Sequence, residues 1–590
     1  VELTKGGMSA RYGGRVSAVL EISLKEGNAR KLETSGGIGL ISSRLTVEGP
    51  IVKDTSSFII SARRTYIDLL LKAATDPSSA LAGSGYYFYD LNTKMNWRIS
   101  PKDQLYVSGY FGRDVFSFAN STADFSTRIP WGNATGTVRW NHLFNDRAFL
   151  STTATLSDYD FAFEAKQDSF LFGFRSGIND LSVKPQLTLY PNPRHTIRAG
   201  IDYTFHSFIP TEVYAENNGD AFDLGEAEQT FSHEIALYAE DEFDVSDRIR
   251  ISAGMRYGGF AHVGPFTRYT LDTEENPLGG AAQMSETHYD NGELVAWHDG
   301  LEPRLGIRVK TGPKSSIKAG YSRNQQFVHL TSLAPTSMPA DIWLPSSDRV
   351  EPQRGSQWAT GYFTQWGENQ MWEGSIEAYY KTLENLVAYA DGSEPEDNIQ
   401  NNVDNNLVFG EGTSYGAEFF LKKRLGDVTG WIGYTWSKTD RIFADLNDGE
   451  SFPARYDRRH DLSVVAQYTL NDRWDLSATF VYGTGNAITV PVQRYFLDGQ
   501  IVNVYGDRNG FRMAPYHRAD IGATYTPRQK AGKSRPGQWV FSIYNLYNRK
   551  NPYFIYFGSE GSISSNDLSI KAYQVSLFPI LPSVAWNFSF

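Results

Sequence analysis

The chain ends on Leu581–Phe590, LPSVAWNFSF. Val584, Trp586, Phe588 and Phe590 fall on alternate positions, with Ala585, Asn587 and Ser589 between them. An extended strand of this kind carries large apolar groups on one face and small or polar groups on the other. Ending on an aromatic, it suits the closing strand of a β-barrel in lipid, where end-to-start pairing leaves no free edge. It equally suits a C-terminal edge strand of a soluble β-domain, so the rest of the chain must decide.

Working back from that strand, short and long connectors alternate. The tight ones are Val52–Thr55, Pro101–Asp103, Asn145–Arg147, Pro191–Arg194, Asp247–Arg248, Gly312–Ser315, Gly367–Asn369, Leu425–Val428, Asn471–Arg473 and the longer Arg528–Gly537. They are built from Asn, Asp, Gly and Pro followed by Lys or Arg, which is turn chemistry. Between them lie longer polar stretches such as Lys72–Gly85, Gly264–Gly292, Phe327–Val350, Asp391–Asn406 and Gly485–Asn509. About ten short turns and about eleven longer loops require roughly 22 antiparallel strands, the size of a plugged outer-membrane transporter. Ile41–Arg44 is the one outer connector expected to be short.

The strands split into faces. Ile249, Ile251, Ala253, Met255 and Tyr257 alternate with Arg250, Ser252, Gly254 and Arg256, and Trp474–Tyr482 and Leu462–Leu470 repeat the pattern. Phe144, Phe149, Tyr190, Phe243, Trp366, Trp372, Tyr468, Trp474, Tyr525 and Trp539 flank the tight turns. Aromatics in that position form the ring of a membrane interface. The competing architectures, a propeller or a solenoid, give no reason for such a ring.

Composition agrees. Aromatics make up 14% of the 590 residues while mean hydropathy is only -0.41. No run reaches the roughly 18 apolar residues of a membrane helix, whereas a barrel strand shows lipid only every second residue. A net charge of -11 speaks against nucleic acid as a partner. The absence of cysteine removes disulfides, thiolate metal sites and cysteine nucleophiles. No signal peptide is visible at Val1-Glu2-Leu3-Thr4, so an exported protein is expected to start upstream. Val1–Arg30, punctuated by Gly6-Gly7 and Gly13-Gly14, reads as a separate segment with one strand in Arg15–Leu24 and no nearby hairpin partner.

No catalytic residue, metal site or cofactor is expected. Gly412-Thr413-Ser414-Tyr415-Gly416 matches G-x-S-x-G, but strand alternation runs straight through it. His233-Glu234 opens a zinc motif that fails at Leu237. Gly532-Lys533-Ser534 echoes a phosphate loop, yet Pro527 stands where the first glycine belongs, and a basic turn fits better. The acidic stretches Asp272–Asn276, Glu286–Glu293 and Glu394–Asn406 lack EF-hand spacing and read as solvated loops. Alternation points Glu373, Ser375, Glu377 and Glu418 into the lumen, where an unpaired carboxylate is costly.

Several strings, taken in order, resemble the TonB-dependent outer-membrane receptors in the form common in Bacteroidota. They are Gly6–Leu24, Ser61–Leu71, Tyr87–Arg98, Trp131–Asn145, Phe327–Pro352 (within it His329–Pro352 is the most specific), Tyr456–Leu462, Ala514–Tyr525 and Ile543–Phe557. The resemblance implies residues 1–30 as the end of an N-terminal plug and 31–590 as a 22-stranded transmembrane barrel. It also implies import of a scarce ligand (siderophore, cofactor, glycan or peptide) without chemistry. The partners would be outer-membrane lipid and a TonB-type energy-coupling protein engaging upstream sequence; a surface lipoprotein would leave no signal. A scaffold subunit and a passive porin are the alternatives. By analogy with Arg–Glu locks in the family, Arg11 and Arg15 are expected to meet Glu377 and Glu418; pairing of these glutamates with cations on adjacent strands is the competing expectation. Tyr269, Tyr289, Trp297 and Trp343 are candidates for stacking on a ligand from the outer loops, or for packing loop on loop.

Overall fold

The structure, a computed structural model, describes residues 2–590 other than 6, 70–84, 121–124, 223–228, 272–283, 333–340, 392–401, 498–499, 529–536 and 561–568. The acidic stretch 272–276, most of 394–406 and the basic turn at 532–534 therefore lie outside the described residues.

Twenty-two antiparallel strands close into a barrel, besides the two-residue ladders Asp220–Ala221 and Phe452–Pro453. Closure joins the first strand, Glu33–Gly39, to the last, Leu581–Ser589, with Ser35 opposite Ser589 and Ile38 opposite Trp586. The seam is tight because of glycine. A methyl group at Gly36 would lie 2.7 Å from the Phe588 ring and 2.8 Å from the Arg44 carbonyl oxygen. Ser583 to Phe590 thus do what the terminal alternation suggested, with Trp586, Phe588 and Phe590 in a row of tilted rings at 5.1 and 5.4 Å.

Alternation separates an apolar exterior from a charged interior. Along Ile249–Val263, Met255 and Tyr257 are 46% and 39% exposed on the outside, while Arg256 between them is 3% exposed on the inside. Trp366 stacks on Trp372 at 6.3 Å across one tight turn, and at the same end of the barrel Trp474 meets Tyr525 of the neighbouring strand at 4.9 Å. Trp358 lies higher on the same outward face as Trp366. At roughly 3.3 Å per residue and a tilt of about 40°, the two are about 20 Å apart along the membrane normal, close to the height of an apolar band.

Two expectations need correction. Ile41–Arg44 is not alone as a short outer connector: Ala148–Gln167 and Phe170–Leu189 are joined by Asp168-Ser169, with Asp168 at φ 53°. The residues on either side of this turn are paired in strands of 20 residues each, so the alternation of short and long connectors breaks here. The N-terminal strand is also shorter than Arg15–Leu24 and does have a partner. Val19–Glu21 pairs with Glu2–Thr4, Leu3 opposite Leu20, because the chain turns back on itself through Gly7 and Gly14, both at positive φ.

Candidate functional site

The segment before Glu33 contributes no barrel strand and lies against inward side chains. Ser9 donates its hydroxyl and Ala10 its N–H to the Glu240 carboxylate at 2.6 and 2.7 Å. Arg304 donates to the carbonyl oxygens of Ser9 and Tyr12, and also to Glu302 at 2.9 Å and Asn324 at 2.8 Å. Arg256 pairs with Asp202 at 2.7 Å and reaches the Ala10 carbonyl at 3.5 Å. Further along, Lys381 donates to the Val16 carbonyl at 2.9 Å, and Gln326 accepts from the Val16 N–H at 3.3 Å. Buried cations on the wall thus hold the backbone of the segment, and Glu302 and Asp202 compensate them.

The pairs expected from sequence are drawn differently. Arg11 bonds Glu21 at 3.1 Å within the segment, and Arg15 donates to the Gly14 carbonyl at 2.6 Å. Glu418 is paired from the segment, but by Lys5. Glu377 accepts from Ser375 at 3.2 Å and, with Glu418, lines a cavity of about 770 Å³ beneath the segment. Arg11 and Arg15 are drawn away because the hairpin of Glu2–Thr4 on Val19–Glu21 brings Glu21 beside Arg11. Contacts to backbone carbonyls leave no signature in side-chain identity, which is why Arg304 and Arg256 escaped notice.

Above the segment three outer connections are knitted together. Phe266–Leu271 pairs with Met284–Tyr289, Val328–Ser332 pairs with Asp341–Pro345, and the turn Val403–Asn406 meets both. Their joint is Arg268, which forks onto Asp404 at 2.6 and 3.0 Å, reaches Asp348, and touches Asn402 at 3.3 Å. Ser347 donates to the same Asp404 carboxylate at 2.6 Å. Underneath, Phe208, Phe260, Phe327 and Val328 are buried, with Phe260 stacked on Phe327 at 5.3 Å.

Of the candidate loop aromatics, Trp343 packs on this apolar layer, edge-on to Tyr159 at 6.4 Å and 6.0 Å from the Arg15 guanidinium. Tyr289 rests on Phe266 at 6.4 Å, and the backbone of Tyr269 is tied to Asn402 and Asn405. Both therefore belong to loop-on-loop packing. Trp297 is corrected: it stands on the strand Leu294–Gly312, 48% exposed on the outer wall over Gly259, with Nε1 donating to Asp299 at 3.2 Å. Among the described residues no cluster of histidine and carboxylates is arranged to hold a metal ion. The G-x-S-x-G at 412–416 and His233-Glu234 lie within straight strands.

Two histidines under the loops are held neutral. Burial pushes His262 down to about 4 and His329 to about 3. Both folded values fall below the unfolded value, so the stability these sites contribute is complete above about pH 6.5. It is lost as pH falls toward 4 and 3, at about 1.4 kcal/mol per pH unit for each imidazole. In a spectrum of ¹³C-histidine-labelled protein, with His262→Asn and His329→Gln for assignment, both resonances should keep neutral shifts at pH 5. Titration near pH 6.5 would contradict the burial argument.

Residues 65–546 match the family described as TonB dependent receptor-like, beta-barrel. No curated protein matches the sequence. Among solved structures, the siderophore receptor PiuA from Acinetobacter baumannii aligns with a TM-score of 0.66 at 12% identity, covering 100% of this chain and 86% of that one. The ferric yersiniabactin uptake receptor FyuA from Yersinia pestis gives 0.64 at 10%, covering 96% and 81%. The closed form of the ferric-catecholate import receptor Fiu from E. coli K12 gives 0.60 at 13%, covering 96% and 82%. At these identities the likeness is one of fold. With the family match spanning most of the sequence, the chain belongs to the TonB-dependent receptors, β-barrel proteins of the Gram-negative outer membrane.

Proposed function

We propose that this receptor imports a scarce ligand using inner-membrane energy, with residues 1–30 as the end of a plug and 31–590 as the barrel. The observation that carries the reading is the N-terminal segment held inside the wall by Arg304, Arg256 and Lys381 through its backbone. Hydrogen bonds of that kind keep a stopper seated yet release in sequence when the chain is pulled from one end. The neighbouring structures named as import receptors for ferric chelates support the same class, and a siderophore, cofactor, glycan or peptide are its candidate cargoes. Outer-membrane lipid surrounds the wall, a TonB-type protein couples it to inner-membrane energy, and a surface lipoprotein over the outer loops completes the Bacteroidota-type form.

The deciding experiment has two arms on the full-length protein. In a planar bilayer the receptor should be closed, where a passive porin would conduct steadily. In cells limited for the ligand, removing the energy-coupling protein should abolish receptor-dependent growth. Undiminished growth without it would favour the scaffold or porin readings.

A further inference from the structure

On the inner wall above the membrane stands a guanidinium with no acceptor among the described residues. In Val428–Phe443, Trp436 and Ile442 are exposed on the outside and Phe443 is buried on the inside, so alternation turns Arg441 inward. Its ladder neighbours are Gly412 and Phe452, neither of which offers a polar side chain. Leu386, Phe443, Leu446 and Phe452 pack together around this position. Nε of Arg441 is buried without a hydrogen-bond partner, and among the described residues no carboxylate lies within ion-pair distance.

Backbone contacts bring a second arginine to the same place. The Arg508 N–H donates to Asn447 Oδ1 at 3.0 Å, and Asn509 donates to the Pro453 carbonyl at 3.0 Å. Pro453 and Phe452 in turn pair with Asp440 and Arg441. Arg508 itself holds Asp391 at 2.7 Å, and that carboxylate is 62% exposed on the rim. Burial first, and then the Arg508 charge, hold the pKa of Arg441 below its ordinary value, with Tyr456 opposing. Tyr456 is exposed, with the Arg455 guanidinium 5.4 Å from its ring.

A half-desolvated cation beside a like charge is unfavourable in the unliganded protein, and an oxyanion relieves it. Guanidinium forks match the paired oxygens of carboxylates and phosphates. We propose that Arg441 and Arg508 form the anion-binding end of the import site and receive a carboxylate or phosphate group of the transported molecule. Asp391 leaves Arg508 as that group arrives. The proposal rests on the import reading and narrows it to cargo bearing an oxyanion.

Titration calorimetry on the purified full-length receptor at low ionic strength, with citrate and with pyrophosphate, separates the two sources. Wild type is expected to bind at least one. Arg441→Met, which keeps the apolar stem, should weaken that binding at least about 10-fold, and Arg441→Lys should restore part of it. Arg248→Met, on a turn at the opposite end, should bind as wild type. Heat-modifiable mobility reports barrel folding; if Arg441→Met does not fold, Arg508→Met carries the test. Equal affinity in wild type and variant, or no heat from either anion in wild type, overturns the proposal. Binding needs no energy coupling, so this failure would leave TonB dependence untouched, and loss of TonB dependence would leave the anion site standing.

Discussion

A receptor carrying Arg304→Met should conduct where wild type is closed. The Arg304 side chain is 4% exposed and Glu302 beside it 1%. Without the guanidinium, the carbonyls of Ser9 and Tyr12 lose their donor, and the nearest remaining cation to Glu302 is Arg256, at 3.7 Å. Breaking a buried pair from one side costs about 3–5 kcal/mol. Planar-bilayer recordings of the full-length variant should show steady conductance, and its unfolding transition should move down. Adding Glu302→Gln removes the stranded charge, so the transition should recover while the conductance persists, because the carbonyl anchors are still missing. A silent bilayer with an unchanged transition would sink the assignment of Arg304 as an anchor.

The second large effect is expected at the roof. Arg268→Met leaves the Asp404 carboxylate, whose side chain is 10% exposed, without its cation and with Ser347 still donating to it, and removes the charged joint between the hairpin Phe266–Leu271 with Met284–Tyr289 and the turn Val403–Asn406. The same one-sided loss, about 3–5 kcal/mol, is here spent on local opening. Arg349 is exposed next to this joint and is a trypsin site. Cleavage there should accelerate by roughly 100-fold or more if opening is in rapid equilibrium. Asp404→Asn in the same chain should slow it again. Cleavage at the wild-type rate would mean that the apolar underside and the hydrogen bonds of Asn402, Asn405 and Ser347 hold the three connections without Arg268.

The barrel was readable because one period governs the whole wall. Alternation from Ile249 to Tyr257, turn residues at Asp247-Arg248 and Trp366 beside Gly367 each report the same geometry, and agreement among them leaves little freedom. Connector length was less readable at Asp168-Ser169, where ladder pairing runs unbroken to the turn and back, against the alternation of short and long connectors. The site was read at the level of zones, since Glu418 is met from the segment and Trp343 sits in the roof. Individual partners were missed for a physical reason. Lys5 and Arg11 exchanged roles through a three-residue hairpin, and Arg304 recognises carbonyl groups that every sequence possesses. Arg268 and Asp404 are 136 positions apart, so nothing local links them.

The tall paired strands on one flank, Asp103–Asn120 through His195–Asn217, have a consequence for entry. A ladder of interstrand hydrogen bonds resists folding inward, so that side is a fixed rampart. Elsewhere the outer connections carry hairpins outside the barrel ladder, such as Phe266–Leu271 with Met284–Tyr289 and Pro491–Leu497 with Gln500–Tyr505. Any opening of the outer face is therefore expected among those hairpins, whose links to one another are side-chain contacts, and not along the rampart.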